Sequence, residues 1–297
     1  MKYAVLGANG QLGRDLCARL SGEGIALSRG QADVTSPEAV RKVLSDLRPE
    51  VVINCAAFNY VDRAETEPEA AFATNAHAVR NLAIICRDLD CTLVHCSTDY
   101  VFGFDQARAT PYLETDAPGP VSVYGTSKLA GEYLLRSLCA KHYVVRTCGL
   151  YGVWGSGGKG GNFVEAMLRV ALAGKPLRVV ADQVCTPTYT VDLASAIIAL
   201  LRTNRYGLYH ITNSGACSWY EFAHAIFELA RVPAHLTPIT SQEYQAQARR
   251  PSYSALNTGA YESLGLAPLR SWREALASYL REREQKHAGG RLHEPRP

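Results

Sequence analysis

The chain has no block of like charge. Among 297 residues, 31 Lys and Arg stand against 28 Asp and Glu, a formal net charge of +3. A nucleic-acid binder needs a dense basic face to displace phosphate counterions, so that class is excluded and any anion site must be local. Long apolar runs are also missing. Met1-Lys2-Tyr3-Ala4-Val5-Leu6 meets a glycine turn at once, too short a stretch for a signal peptide or for a membrane span of about 20 residues. The expectation is a cytoplasmic protein with no membrane and no nucleic-acid partner. No two of the nine cysteines have C-x-x-C spacing, which argues against thiol exchange and zinc clamping. They are scattered through apolar stretches such as Ile53-Asn54-Cys55-Ala56-Ala57 and read as reduced core fillers. Cys185 stands apart because a polar loop surrounds it. His77, His95, His142, His210 and His224 lack metal-ligand spacing, so each reads as a core or surface histidine and no metal site is expected. No internal repeat is visible.

What is present is alternation. Short apolar runs at 2–6, 25–28, 51–55, 91–96 and 142–147 are separated by stretches (36–47, 69–88, 124–140) with apolar residues three and four apart. That pattern predicts an α/β fold, a doubly wound parallel sheet with right-handed crossovers. After Tyr151 the character changes. Residues 152–161 contain six glycines and read as a mobile loop. Beyond it, strands near 177–180 and 208–212 and helices near 190–203, 218–231 and 271–284 read as a smaller mixed α/β domain. The expected division is 1–150 for the sheet domain, rejoined by about 188–204, and 151–187 with 205–285 for a substrate domain. The polar stretch 286–297 is expected to be a disordered tail.

Directly after the first strand comes Gly7-Ala8-Asn9-Gly10-Gln11-Leu12-Gly13, opening a helix. Glycine lets the backbone turn sharply and approach a pyrophosphate, and the free N–H groups of the helix receive its charge. This points to a dinucleotide cofactor. The second strand ends at Arg29, a side chain suited to a 2′-phosphate, where a carboxylate would suit a ribose hydroxyl. Asp33 lies at about the distance expected of a ribose acid but could equally cap the helix starting near Ser36. NADPH is therefore the favoured cofactor, with NADH tolerated, and a solvated surface role for Arg29 stays open.

The most specific chemistry is Tyr124-Gly125-Thr126-Ser127-Lys128, preceded by Ser97-Thr98-Asp99-Tyr100 at the end of an apolar strand. Tyr124 and Lys128 share one helix face, where an ammonium can draw a phenol of pKa about 10 toward neutrality. Such a tyrosine can give its proton to a ketone oxygen as hydride reaches the carbon. Thr98 can hydrogen-bond the same oxygen.

These motifs resemble the extended short-chain dehydrogenases of Rossmann fold, and most closely the dTDP-4-dehydrorhamnose reductases. The likeness covers nearly the whole chain. It extends through Asn54 to Glu65, Phe102, Tyr124 to Glu132, Arg146-Thr147, Gly161-Asn162-Phe163, Asp182 to Tyr189, Arg250-Pro251 and Leu256-Asn257-Thr258. It implies reduction of the 4-keto group of dTDP-6-deoxy-L-lyxo-4-hexulose to dTDP-L-rhamnose, with Thr98, Tyr124 and Lys128 catalytic. Residues implied along the cofactor are Gly7, Asn9, Gly10, Gln11, Leu12, Gly13, Arg29, Asp33, Val34, Cys55, Ala56, Ala57, Asn59, Ser97, Tyr124 and Lys128. Thr98, Asp99, Tyr100, Phe102, Trp154 and Asn162 are expected at the dTDP-sugar, and a homodimer is compatible with the likeness. One position departs: many family members have Trp where this chain has Gly149, and Trp154 in the glycine-rich loop is expected to replace that aromatic wall as the loop closes. Three rivals remain. A sugar-nucleotide 4,6-dehydratase resembles Thr-Asp-Glu where this chain has Thr98-Asp99-Tyr100; an epimerase shares cofactor and tyrosine; and a non-catalytic regulatory subunit like that of methionine adenosyltransferase has no need of all three catalytic groups.

Overall fold

Every residue of the first strand, β1 (Tyr3–Leu6), is buried, which marks it as covered on both faces. Tyr3 and Val5 join one apolar cluster with Leu12, Leu16, Ile53, Val94, Val145, Leu193 and Ile197. Ala4 and Leu6 join another with Val40, Leu44, Val52, Val79, Leu82, Leu93 and Val144. The two-residue period of a strand thus divides one hydrophobic run between two cores.

The computed structural model describes residues 1–155 and 161–290. Strands β2 (Gly24–Leu27), β3 (Val51–Asn54), β4 (Thr92–Thr98), β5 (His142–Thr147) and β6 (Gly207–His210) join β1 in one sheet of order β6-β5-β4-β3-β1-β2. All five pairings are parallel. Helices α1 (Gln11–Arg19) and α6 (Thr190–Leu201) cover the first core. Helices α2 (Pro37–Leu47), α3 (Ala78–Asp88) and α4 (Val123–Leu138) cover the second. This is the doubly wound α/β sheet expected. The winding direction reverses between β1 and β3, and at such a point the crevice beyond the strand ends is open to a ligand.

The helix expected over 69–88 is interrupted. Pro68–Phe72 is helical, Ala73–His77 forms a π turn, and α3 then follows. The wide turn carries Asn75, whose Nδ2 donates to the Phe58 carbonyl at 2.9 Å and to Ser127 Oγ at 3.0 Å, while its Oδ1 accepts from the Phe58 N–H at 2.9 Å. The Asn75 carbonyl lies 2.1 Å from where a Cβ on Gly131 would stand, so α4 can lie this close only with glycine there.

A third core is built by α5 (Phe163–Leu172), α7 (Trp219–Ala230) and α8 (Trp272–Gly290). It is aromatic: Tyr151, Tyr189, Phe222 and Tyr279 lie with ring centroids 5.3 to 5.9 Å apart. Two differences from expectation concern boundaries. The return to the sheet runs on to β6, past residue 204, because its backbone pairs with β5. Helix α8 continues to Gly290, where a disordered tail was expected from 286; the remainder, 291–297, lies outside the described residues. No described helix is long and apolar enough to cross a membrane, and no group of three potential metal ligands occurs among the described residues.

One buried ion pair ties the sheet to α4. Arg146, on β5, donates to Glu132 through Nε at 3.0 and 3.1 Å and through Nη2 at 2.7 Å. Glu132 is 0% exposed and Arg146 1%, and Ser97 on β4 donates a further hydrogen bond to the same carboxylate. Removing one partner of such a pair strands the other charge without solvent. Glu132→Gln is expected to cost about 3 kcal/mol or more in denaturant unfolding, whereas loss within experimental error would remove the pair from the list of fold determinants.

Candidate active site

The turn after β1 is forced by contact. Gly7 has φ of +71°, and a Cβ there would sit 2.8 Å from the Ala56 nitrogen; at Gly13 a Cβ would sit 2.5 Å from the Gly7 carbonyl. The ends of β1 and β3 therefore press together, with Cys55 and Ala56 half-buried and Asn9, Ala57 and Asn59 exposed beside them. The cap residue of α1 is Gly10, with no side-chain cap and no acidic residue in the first turn. The orphan N–H groups are left for an anion. Gln11 Nε2 donates to the Leu150 carbonyl at 3.0 Å, and its Oε1 is buried without a partner.

At the end of β2 the two cofactor candidates are paired with each other. Arg29 Nε meets Asp33 Oδ2 at 2.9 Å, with 85% of the arginine side chain exposed. Burial raises the Asp33 pKa, but the Thr35 hydroxyl and N–H together with Arg29 outweigh it, so the carboxyl stays below the usual range. Leu12 and Val34 are buried in the two sheet cores.

Helix α4 begins at Ser122, whose hydroxyl accepts from the Gly125 N–H at 3.2 Å. A Cβ at Gly125 would lie 2.2 Å from the Tyr100 carbonyl, so the first turn of α4 rests on the backbone that follows β4. This sets Tyr124 against Tyr100, ring centroids 5.9 Å apart and edge-on. The Tyr124 phenol also faces the Thr98 hydroxyl. Burial raises the phenol pKa, the Thr98 hydroxyl opposes it, and the charge of Asp99 adds to the rise. The phenol is therefore protonated at neutral pH.

Lys128 is 1% exposed. Its Nζ donates to the Cys96 carbonyl at 2.6 Å and lies 3.1 Å from His95 Nε2. Burial disfavours the ammonium and brings its pKa down to about 8. The spacing argument placed this ammonium at the phenol; here its near partners are on β4. Thr98, Tyr124 and Lys128 nonetheless converge at one end of β4.

Asp99 is not an open substrate ligand. Its carboxylate is buried, accepting from Ser254 Oγ at 2.6 Å, Cys148 Sγ at 3.0 Å and Thr98 Oγ1 at 3.1 Å, and burial raises its pKa. Its reach is to Thr98, which it orients.

Four expected site residues are engaged elsewhere. Phe102 is 1% exposed, stacked on Tyr112 at 4.0 Å and covered by the Arg146 guanidinium at 5.1 Å, leaving no face for a ligand. The Ser97 hydroxyl is used by Glu132. Asn162 caps α5, accepting from the Glu165 N–H at 3.1 Å and donating to the Gly152 carbonyl at 2.9 Å. Trp154 lies on α1, its Nε1 donating to Asp15 at 3.0 Å and its ring 3.6 Å from Lys286 Nζ. The space beside Gly149 is held by another aromatic: a Cβ there would meet Trp219 Cη2 and the Pro187 Cα, each at 3.2 Å. The centre of the glycine-rich loop, 156–160, lies outside the described residues. Cys185 is not a loop thiol but is buried in a two-residue strand paired with Cys217.

Four contributors escaped the sequence reading. Asn75 and Glu132 are ordinary helical positions until their partners are known, and His95 looked like core filling. Asp62 was read only as part of a motif, yet it binds Arg250 at 2.7 Å and so joins the two halves of the chain.

A parallel nucleotide-binding sheet with Thr, Tyr and Lys converging beyond its central strands defines a protein of the short-chain dehydrogenase/reductase type. The model of the RmlD substrate binding domain matches residues 1–285, and the chain belongs to that family. It is 41% identical to the spore coat polysaccharide biosynthesis protein SpsK of Bacillus subtilis over 95% of this chain and 98% of that one. It is 42% identical to the dTDP-4-dehydrorhamnose reductase of Mycolicibacterium smegmatis over 93% of this chain and 84% of that one. Among solved structures it resembles the dTDP-4-dehydrorhamnose reductase of Bacillus anthracis in complex with NADP, at 38% identity and a TM-score of 0.89, covering 95% of this chain and 100% of that one.

The close approach at Gly125 can be tested directly. Gly125→Ala is expected to destabilise the fold by about 1–3 kcal/mol and to pull Tyr124 away from Thr98. Measured melting and turnover should both fall; an unchanged melting temperature would show that the contact relaxes freely.

Proposed function

We propose that the chain reduces the 4-keto group of dTDP-4-dehydro-L-rhamnose with NADPH, giving dTDP-L-rhamnose, in the cytoplasm. The observation that carries this reading is the meeting of Thr98, Tyr124 and the buried Lys128 at the end of β4, in a chain about 40% identical to reductases of that name. The cofactor fits the residues present. Gly7 and Gly13 leave room for a pyrophosphate at the uncapped start of α1, and Gln11 Oε1 is a buried acceptor without a partner, suited to a ribose hydroxyl. Arg29, exposed and paired with Asp33, is the cation proposed for the 2′-phosphate.

When bound, the reduced nicotinamide supplies hydride to C4 of the sugar. Tyr124, protonated because burial disfavours the phenolate, donates to the ketone oxygen and gives the proton that completes the alcohol. Thr98 donates to Asp99 at rest and reaches the same oxygen by turning its one hydroxyl proton from that carboxylate. The retained Thr98, Tyr124 and Lys128 favour this reading over a non-catalytic subunit, and Tyr100, where a dehydratase has a carboxylate, favours it over elimination.

The test is loss of NADPH absorbance with dTDP-4-dehydro-L-rhamnose, against dTDP-4-keto-6-deoxy-D-glucose as a rival substrate. Tyr124→Phe is expected to bind NADPH as before and lose about 10²–10⁴-fold in turnover; wild-type turnover would remove the phenol from the chemistry. Preference for NADPH over NADH is expected to shrink in Arg29→Ala, and equal specificity constants for the two cofactors before and after the change would make Arg29 a bystander.

A further inference from the structure

Behind Lys128 lies a buried string of hydrogen-bonding groups that the reaction as written does not use. The Ala56 N–H donates to Asn54 Oδ1 at 3.1 Å; Asn54 Nδ2 lies 3.2 Å from His95 Nδ1; His95 Nε2 lies 3.1 Å from Lys128 Nζ. Asn54 and Lys128 are each 1% exposed and His95 0%, so bulk water cannot supply a missing partner at these atoms.

The donors and acceptors along this string settle its protonation. A backbone N–H can only donate, so the Asn54 oxygen faces Ala56 and the Asn54 amide hydrogen faces the imidazole. His95 Nδ1 must then be the unprotonated nitrogen, and the ring proton sits on Nε2, directed at Lys128. An ammonium has no lone pair to receive it, whereas a neutral amine accepts from His95 and still donates to the Cys96 carbonyl. Charging Lys128 therefore leaves one buried hydrogen bond unmade or forces Asn54 to turn its amide toward Ala56.

We propose that His95 is a positioning residue that sets the charge state of Lys128 through its tautomer, with Asn54 and the Ala56 N–H fixing that tautomer from the cofactor side. The proposal rests on the reductase reading only for its kinetic consequence. Other groups facing Lys128 are the thiols of Cys55 and Cys96 and the carboxylate of Glu132, all of which favour the ammonium. Glu132 is already neutralised by Arg146, so the imidazole N–H and burial are the opposing influences. The depressed pKa values of both Lys128 and His95 accord with this balance. Because Ala56 also abuts the Gly7 turn, the string connects the cofactor-side backbone to the lysine.

The tautomer is read without any assay of activity, from the ring nitrogen shifts of 15N-histidine protein, with the His95 signal identified by its loss in His95→Phe. The wild type should show Nε2–H. In Asn54→Asp the carboxylate accepts from both Ala56 and the imidazole, so the proton should move to Nδ1. In kinetics the lysine is expected to give kcat/KM a limb near pH 8, which should move upward by about one unit in His95→Phe and at least as far in Asn54→Asp. A merely structural His95 would lower the rate with the limb in place. Should His95→Phe fail to fold, Asn54→Asp carries both readouts, its His95 signal being the one that changes. An Nδ1–H signal in the wild type, or a limb unmoved in the folded variants, would overturn the proposal. A wild type that shows the expected tautomer but reduces neither sugar nucleotide would overturn the substrate reading alone.

Discussion

The geometry of the site depends on the ion pair between Arg146 and Glu132. Two charges fully removed from water gain little net stability from their attraction, because desolvation offsets most of it. What the pair fixes is register. Glu132 lies four residues from Lys128, which lies four from Tyr124, so all three share the face of α4 turned to the sheet. Arg146 on β5 grips the far end of that face with two nitrogens, and Ser97 on β4 grips the same carboxylate. A slide of α4 by one turn would break these bonds together.

Glycine supplies the other half of the constraint. Gly125 and Gly131 let the backbones of the Tyr100 turn and the Asn75 turn approach α4 to distances that no side chain permits. The contacts at the first turn and at the middle of the helix are thus backbone against backbone, and they admit little adjustment. Tyr124 is held where the Thr98 hydroxyl meets it, and Asp99, itself filled by Ser254 and Cys148, holds Thr98. Specific polar contacts and close packing thereby act on the same few atoms.

The sheet was legible in the sequence because its strands are continuous apolar runs, and the period of two assigns each side chain to a core. The Tyr124–Lys128 spacing was legible for the same local reason. Residues whose partners are distant in the chain were not. Asn75 takes its place through Phe58 and Ser127, and the π turn that carries it has no local signature in an otherwise helical pattern. Phe102 was expected at the ligand through the family likeness, but Tyr112 and Arg146 enclose it. Trp154 looked able to fill the gap left by Gly149, yet Trp219 comes from α7 to occupy that space while Trp154 lies along α1.

Burial has opposite consequences for the two groups on the active face of α4. It strengthens the hold of Tyr124 on its proton and weakens that of Lys128, moving both toward neutral forms. A neutral phenol is the form that can donate to a ketone oxygen, so the tyrosine is ready at rest. The lysine, brought down to about 8, is closer to its neutral form than an exposed lysine, so changes in hydrogen bonding or nearby charge shift its population more. The groups that continue inward from this face are Lys128, His95 and Asn54, all sealed from solvent. The hydrogen-bond balance of this buried string thus acts on the lysine from the side opposite the open end of the site.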